Sequence, residues 1–285
     1  MKTAIISGKG GSGKSTVSAA FIALAGDVVA VDCDVDASNL PLLFKHEVLA
    51  SESFASGHVV KTRAEKCVGC GRCAEACVYH AIEMSEGKAV VNPLLCEGCG
   101  LCEKICPSEA LRLESEAGSI IYESHFDYGD LIHGDLKPGD DNSGLMIARL
   151  RKIADNKMAE KGATMQILDG PPGIGCPVIS TITGADKVII VCEPTLSGVS
   201  DLKRAYQAAI SFCVDISVII NKADINTANR NEVRTFCSDM RLPILAELPF
   251  DRVMVESQIN RLDIISYAPE SECAFRLREA YKKII

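Results

Sequence analysis

The chain has 285 residues, 14 of them cysteine, no tryptophan and a formal charge of −8. A composition 47% hydrophobic and 24% charged is that of a water-soluble globular protein with room for one large α/β domain and a small one, and no run approaches the ~18 apolar residues of a membrane span. The acidic balance argues against a nonspecific nucleic-acid binder, while dense C-x2-C spacing without an apolar leader points to a reducing, cytoplasmic setting in which thiols hold metal.

Residues 3–7 (TAIIS) predict a short buried strand running into a glycine-rich loop. A helix over about 14–25 follows, with Val17, Ala20, Phe21 and Leu24 on one face. The near-continuous β-branched run at 27–34 (DVVAVDCD) marks a second strand, buried on both faces as in a parallel sheet. After about residue 57 the β–α alternation stops and cysteines crowd into 67–106. Alternation resumes with a hairpin-like stretch at about 119–136 and a helix from Asn142 or Ser143, either a good N-cap. Strand-like runs follow at 165–169, 187–193, 215–224 and 242–250, the first three each trailed by a helical segment. Residues 272–285 (ECAFRLREAYKKII) close the chain as an amphipathic helix, read as packing on the sheet although its Arg276, Arg278, Lys282 and Lys283 also suit a lipid surface. The expected fold is α/β, a mostly parallel sheet with helices on both faces. Its expected divisions are a first part at 1–58, an insert at 59–113 and a second part at 114–285.

The insert repeats itself. Residues 67–77 read C-x2-C-x2-C-x3-C, and 96–106 repeat the pattern 29 residues on, with Pro107 after it. Three thiolates at i, i+3 and i+6 wrap one loop around a cubane, and the fourth leads away toward the other cluster. Two [4Fe–4S] clusters are therefore expected, one on Cys67, Cys70, Cys73 and Cys106, the other on Cys96, Cys99, Cys102 and Cys77. Zinc also takes four thiolates, but its sites come as two C-x2-C pairs across a longer gap. The segment resembles a bacterial-type 2[4Fe–4S] ferredoxin, departing from it where Val78 stands in place of the usual proline. The trade of such a domain is moving single electrons.

Gly8 to Ser15 (GKGGSGKS) fits G-x4-G-K-[ST] between a strand and a helix, the context a phosphate-binding loop requires. Backbone N–H groups of Gly10, Gly11, Ser12, Gly13 and their neighbours ring the phosphates. Lys14 reaches the β- and γ-phosphates, Ser15 ligates Mg²⁺ and Thr16 meets the α-phosphate. Asp169 ends a buried strand in ILDGPPG, where a carboxylate needs a partner such as hydrated Mg²⁺.

With Lys9 the loop reads GKGGSGKST, which resembles the deviant P-loop of the MinD/ParA, Mrp and nitrogenase iron-protein superfamily. The resemblance spans nearly the whole chain and implies a P-loop ATPase carrying a ferredoxin insert. It implies a homodimer in which Lys9 reaches toward the partner subunit's ATP and hydrolysis switches dimer geometry. It places Asp34 in switch I (VDCDVDASNL, 31–40) to position the attacking water, with Asp32 and Asp36 as weaker Mg²⁺ or structural candidates. It gives Gly173 an N–H for the γ-phosphate, Asn221 the adenine edge, and Pro249 in LPFD the lining of the base. Cys176 lies seven residues after Asp169, where the iron protein carries a cluster ligand. Its companion is missing between 107 and 175, so a small buried hydrophobe is expected. Cys33, Cys192, Cys213, Cys237 and Cys273 are expected in the core. The function implied is an ATP-dependent dimer that delivers electrons to an unidentified acceptor protein, with no nucleic acid or membrane partner. Rivals are an Mrp-like cluster carrier, which lacks its C-terminal C-x2-C here, and a MinD-like positioning ATPase.

Overall fold

The computed structural model describes residues 1–137 and 142–285. Strand β1 (Lys2–Ser7) passes through the glycine-rich loop into helix α1 (Lys14–Ala25), followed by β2 (Val28–Asp32) and a single turn, α2 (Leu40–Leu43). Then come β3 (His46–Thr62), α3 (Arg72–Ala76), the hairpin β4 (Ile82–Ser85) and β5 (Lys88–Val91), α4 (Leu101–Ile105), β6 (Leu111–Phe126) and β7 (Gly129–Asp135). The rest alternates: α5 (Ser143–Lys161), β8 (Gln166–Pro172), α6 (Cys176–Ile182), β9 (Lys187–Cys192), α7 (Leu196–Ile210), β10 (Asp215–Ile220), α8 (Thr227–Asp239) and β11 (Ile244–Glu247). Three helices end it, α9 (Arg252–Ile259), α10 (Ile264–Tyr267) and α11 (Glu272–Lys282).

Nine strands form one sheet in the order β11-β10-β9-β1-β8-β2-β7-β6-β3. From β11 to β7 the pairs are parallel, and the β6–β7 hairpin turns the sheet antiparallel. The register fixes the site. Ile5 lies opposite Asp169, and Asp32 opposite the same residue on its other side. The C-terminal ends of the neighbouring central strands β1, β8 and β2 therefore lie together, the position at which open parallel sheets bind ligands.

The residues divide into two compact units, one of Met1–Glu52, Ile120–Asp135 and Ser143–Ile285, the other of Ser53–Ser119 and Leu136–Asn142. The expected insert, 59–113, lies within the second. In the larger unit β2 is buried along its whole length, and α1 packs Val17, Ala20 and Phe21 into the core. Truncating a fully buried side chain such as Phe21 costs about 3–5 kcal/mol. The smaller unit has its own core of Val60, Cys73, Ile82, Ala89, Cys102 and Leu111.

Several elements differ from expectation. β3 was not foreseen, because most of its side chains are exposed and it lacks an apolar rhythm. α9 and α10 were also missed, although Asp251 and Asp263 cap them by accepting from Val253 and Ser266 backbone N–H groups. β11 is four residues long rather than nine, since Pro243 and Pro249 bracket it. Cys33, Cys192, Cys237 and Cys273 are buried, but Cys213 is exposed in the turn after α7 with φ +54°. Helix α11 buries Cys273, Ala274, Leu277 and Ala280 completely while Phe275 faces outward, so its apolar side is mostly spent on the core. Among the described residues no helix is long and apolar enough to cross a membrane.

Candidate functional site

The loop after β1 closes on a cleft of about 530 Å³ lined by Gly10 through Thr16, Ser7, Asp34, Asn39, Leu42, Leu43, Pro172 and Gln258. Glycine is required at two points. A Cβ on Gly8 would strike Asp201, and one on Gly13, whose φ is +89°, would strike the Asn221 amide. The loop can therefore press against α7 and the end of β10.

At the floor lies a buried ion pair. Lys14 Nζ is 2.8 Å from Asp169 Oδ1, with the side chains 6% and 1% exposed, and Ser18 Oγ donates to the same oxygen at 2.7 Å. Burial pushes Lys14 down, but Asp169, Asp32 and Asp34 outweigh it and hold the ammonium charged. Asp169 Oδ2 is buried without a partner, as is Ser12 Oγ. An orphaned carboxylate oxygen at a cluster of phosphate-binding N–H groups fits a hydrated Mg²⁺, and Ser15 lines the same cleft.

Two further carboxylates face this pair. Burial, then the charge of Asp169, raises Asp32 to about 7, against the pull of Lys14. Its oxygens accept from the Asp34 and Leu40 N–H groups and Ser38 Oγ, so it shapes the turn between β2 and α2. Asp34 lines the cleft and is raised to about 6, chiefly by burial. Asp36 is exposed and outside the cleft lining.

Lys9 extends toward the start of α7. Its Nζ is 3.1 Å from Thr195 Oγ1 and 3.3 Å from both Ser197 Oγ and Glu193 Oε2. Glu193 also pairs with Lys222, whose ammonium donates to Gly11 O at 3.3 Å. Asn221 is buried, and its amide donates to Ser12 O at 2.8 Å. Its side chain thus buttresses the phosphate loop here. The Gly173 N–H is likewise taken, by Ser7 O at 2.9 Å. Pro249 is outside the cleft lining and half-buried. Cys176 is exposed at the first turn of α6, not buried as expected.

Sequence reasoning missed Glu193, Lys222, Ser18 and Gln258, whose amide meets Thr16 Oγ1. Glu193 and Lys222 each follow the end of a buried strand beside the loop, and that position was the available signal.

In the smaller unit Cys67, Cys70, Cys73 and Cys106 line one cavity together with Gly71, Met84, Ala89, Ala110 and Leu111. Three thiols of the first repeat and the last thiol of the second thus line the same cavity. Burial raises Cys102 to about 11, with Cys96 and Cys99 adding to it. Cys77 and Cys96 pack against the same small core. Gly69, Gly71, Gly98 and Gly100 all have positive φ, from 61° to 74°. Among the described residues no three His, Cys, Asp or Glu side chains converge as ligands of a single ion.

Residues 3–264 match the family described as the CobQ/CobB/MinD/ParA nucleotide binding domain. An uncharacterised protein of Methanocaldococcus jannaschii is 35% identical across 100% of this chain and 96% of its own length. Among solved structures, the cell division ATPase MinD of Pyrococcus furiosus has a TM-score of 0.59 at 19% identity, covering 99% of this chain and 97% of that one. The septum site-determining protein MinD of Pyrococcus horikoshii, complexed with Mg-ADP, has the same score and identity over 99% and 95%. At that identity the likeness speaks to the fold.

Proposed function

The chain belongs to the CobQ/CobB/MinD/ParA nucleotide-binding family, and from that premise we propose an ATP-hydrolysing, homodimeric iron–sulfur protein whose nucleotide state governs electron delivery to an acceptor protein. The observation that carries this reading is the cavity shared by Cys67, Cys70, Cys73 and Cys106. A chain that crosses its fourth ligand between repeats brings those four thiols together.

Each residue then has a task. Bound Mg²⁺ neutralises charge on the β- and γ-phosphates. Asp169 Oδ2 and Ser15 Oγ are the oxygens that would hold it. Lys14 is kept charged for the phosphates by Asp169, Asp32 and Asp34. Asp34, at the mouth of the cleft, orients the attacking water. Lys9 is the residue for the partner subunit's nucleotide, as in the deviant P-loop pattern. The ferredoxin-like unit holds the clusters on the two cysteine sets.

The test uses the full chain purified without oxygen. Iron and acid-labile sulfide are quantified, and the reduced protein is mixed with a one-electron acceptor with and without MgATP. The expected result is two clusters per chain and faster transfer with MgATP. Equal rates would refute nucleotide control, and absence of sulfide would refute the clusters.

A further inference from the structure

The two cysteine sets are built from one repeat but are not electrically alike. Each repeat donates from the alanine four residues past its last cysteine: Ala81 N–H to Cys77 Sγ at 3.4 Å and Ala110 N–H to Cys106 Sγ at 3.2 Å. The backbone donors Ala74, to Cys73, and Glu103, to Cys102, are likewise related by the 29-residue repeat. Ile82 and Leu111 supply the same apolar flank to both. These symmetric parts cancel.

Contacts at Cys106 and Cys67 set one side apart. Ser108 Oγ lies 3.7 Å from Cys106 Sγ, while its counterpart in the first repeat, Tyr79, is 46% exposed and bonds no sulfur. The Ala89 N–H donates to Cys67 Sγ at 3.5 Å. The neighbouring Lys88 ammonium donates to the Cys67 carbonyl oxygen at 2.6 Å, placing a positive charge beside the first loop. Ser108, Ala89 and Lys88 all serve the set Cys67, Cys70, Cys73 and Cys106.

Reducing a thiolate-bound cluster adds one negative charge to it and its sulfurs. Donors to the ligand sulfurs and nearby cations stabilise that charge and raise the reduction potential. We propose that the chain holds two clusters of unequal potential, and that Ser108 and Lys88 make the one on Cys67, Cys70, Cys73 and Cys106 the higher. A single electron entering the unit then rests on that cluster, and the one on Cys96, Cys99, Cys102 and Cys77 is filled second. Ser108 and Lys88 are tuning residues acting through Cys106 and Cys67. This inference rests on the iron–sulfur reading above.

The experiment is a redox titration of the anaerobic full chain followed by EPR, on the wild type and on Ser108→Ala, Ser108→Thr and Lys88→Gln. The expected result is two separated midpoints. Ser108→Ala and Lys88→Gln lower the higher one and leave the lower in place, and Ser108→Thr restores it. All four proteins should carry the same iron content, so a shift is not loss of fold. Coincident midpoints, or variants that move the lower midpoint or neither, would overturn the inference while leaving the clusters. A chain that binds nucleotide yet shows no cluster signal would remove the iron–sulfur reading, and this inference with it.

Discussion

Replacing Asp169 by Asn keeps the side chain's shape and removes its charge from the buried pair. Lys14 sits 2.8 Å away with 6% of its side chain exposed, so the variant leaves an ammonium with no full counter-charge in contact. Breaking a buried pair from one side costs about 3–5 kcal/mol. Asp32 and Asp34 also act on Lys14, so the expected loss is at the low end, ~3 kcal/mol of unfolding free energy without nucleotide. Oδ2 provides the functional half of the test, because it has no partner among the described residues. If it serves Mg²⁺, metal added to the wild type with nucleotide should tighten binding and so stabilise the fold, by about 1.4 kcal/mol for each tenfold in affinity. In Asp169→Asn that metal-dependent increment should vanish and hydrolysis should fall to background. Nucleotide in EDTA should still bind through the loop's N–H groups. Urea unfolding with nucleotide, with and without Mg²⁺, measures both halves. If Mg²⁺ stabilises the variant as much as the wild type, Asp169 is not the carboxylate that serves the metal.

Lys9→Ala removes a half-exposed ion pair, so unfolding free energy should change by no more than about 1 kcal/mol. Light scattering should find the ATP-dependent dimer gone, and an intact dimer would deny Lys9 its role across the interface. Cys106→Ala should cut iron from about eight to about four per chain if the fourth ligands cross between repeats, with EPR reporting which signal survives. His133 is buried against Tyr122, at 4.9 Å between rings, and beside His46. Burial, then His46, lowers its imidazole from 6.5 to about 4. The unfolded chain therefore takes up a proton at a higher pH than the folded one. The stability present above pH 6.5 is lost as pH falls through about 4, by ~3 kcal/mol in all. His133→Phe keeps a ring on Tyr122, so its unfolding free energy should fall less steeply between those pH values. A parallel acid limb in the two proteins would show that His133 does not titrate this way.

The phosphate loop was legible because its chemistry is backbone chemistry at fixed spacing. Glycines at 8 and 13 are dictated by what a Cβ would strike, and that demand is written directly in the residues. The cysteine repeat is equally plain as a spacing in the residues. β3 was not, since an edge strand with mostly exposed side chains carries no burial rhythm to read. Cys176 and Cys213 were misplaced because a small apolar residue beside buried strands looks like core. Cys176 instead opens α6 at the surface, and Cys213 stands in the left-handed turn after α7. Asn221 shows a different limit. A strand-end asparagine near a nucleotide reads as a base contact; its amide also donates to Ser12 O, 209 residues away in sequence, a tie the spacing alone does not reveal. Only the fold brings those two together.

That tie bears on how the loop changes state. Asn221 and Lys222 hold Ser12 and Gly11 by their carbonyls, so the rim of the loop is fixed from β10 before any phosphate arrives. Lys9 is held differently, by one carboxylate and two hydroxyls of the segment leading into α7. For Lys9 to serve a partner subunit's nucleotide it must leave all three. Glu193 is not stranded when it does, because Lys222 remains paired with it. The cost of release is then that of a partly exposed ion pair, about 1 kcal/mol or less, which is less than a tenfold change in nucleotide affinity, about 1.4 kcal/mol. The shared carboxylate thus lets one lysine stay as a structural brace while the other is free to change partners.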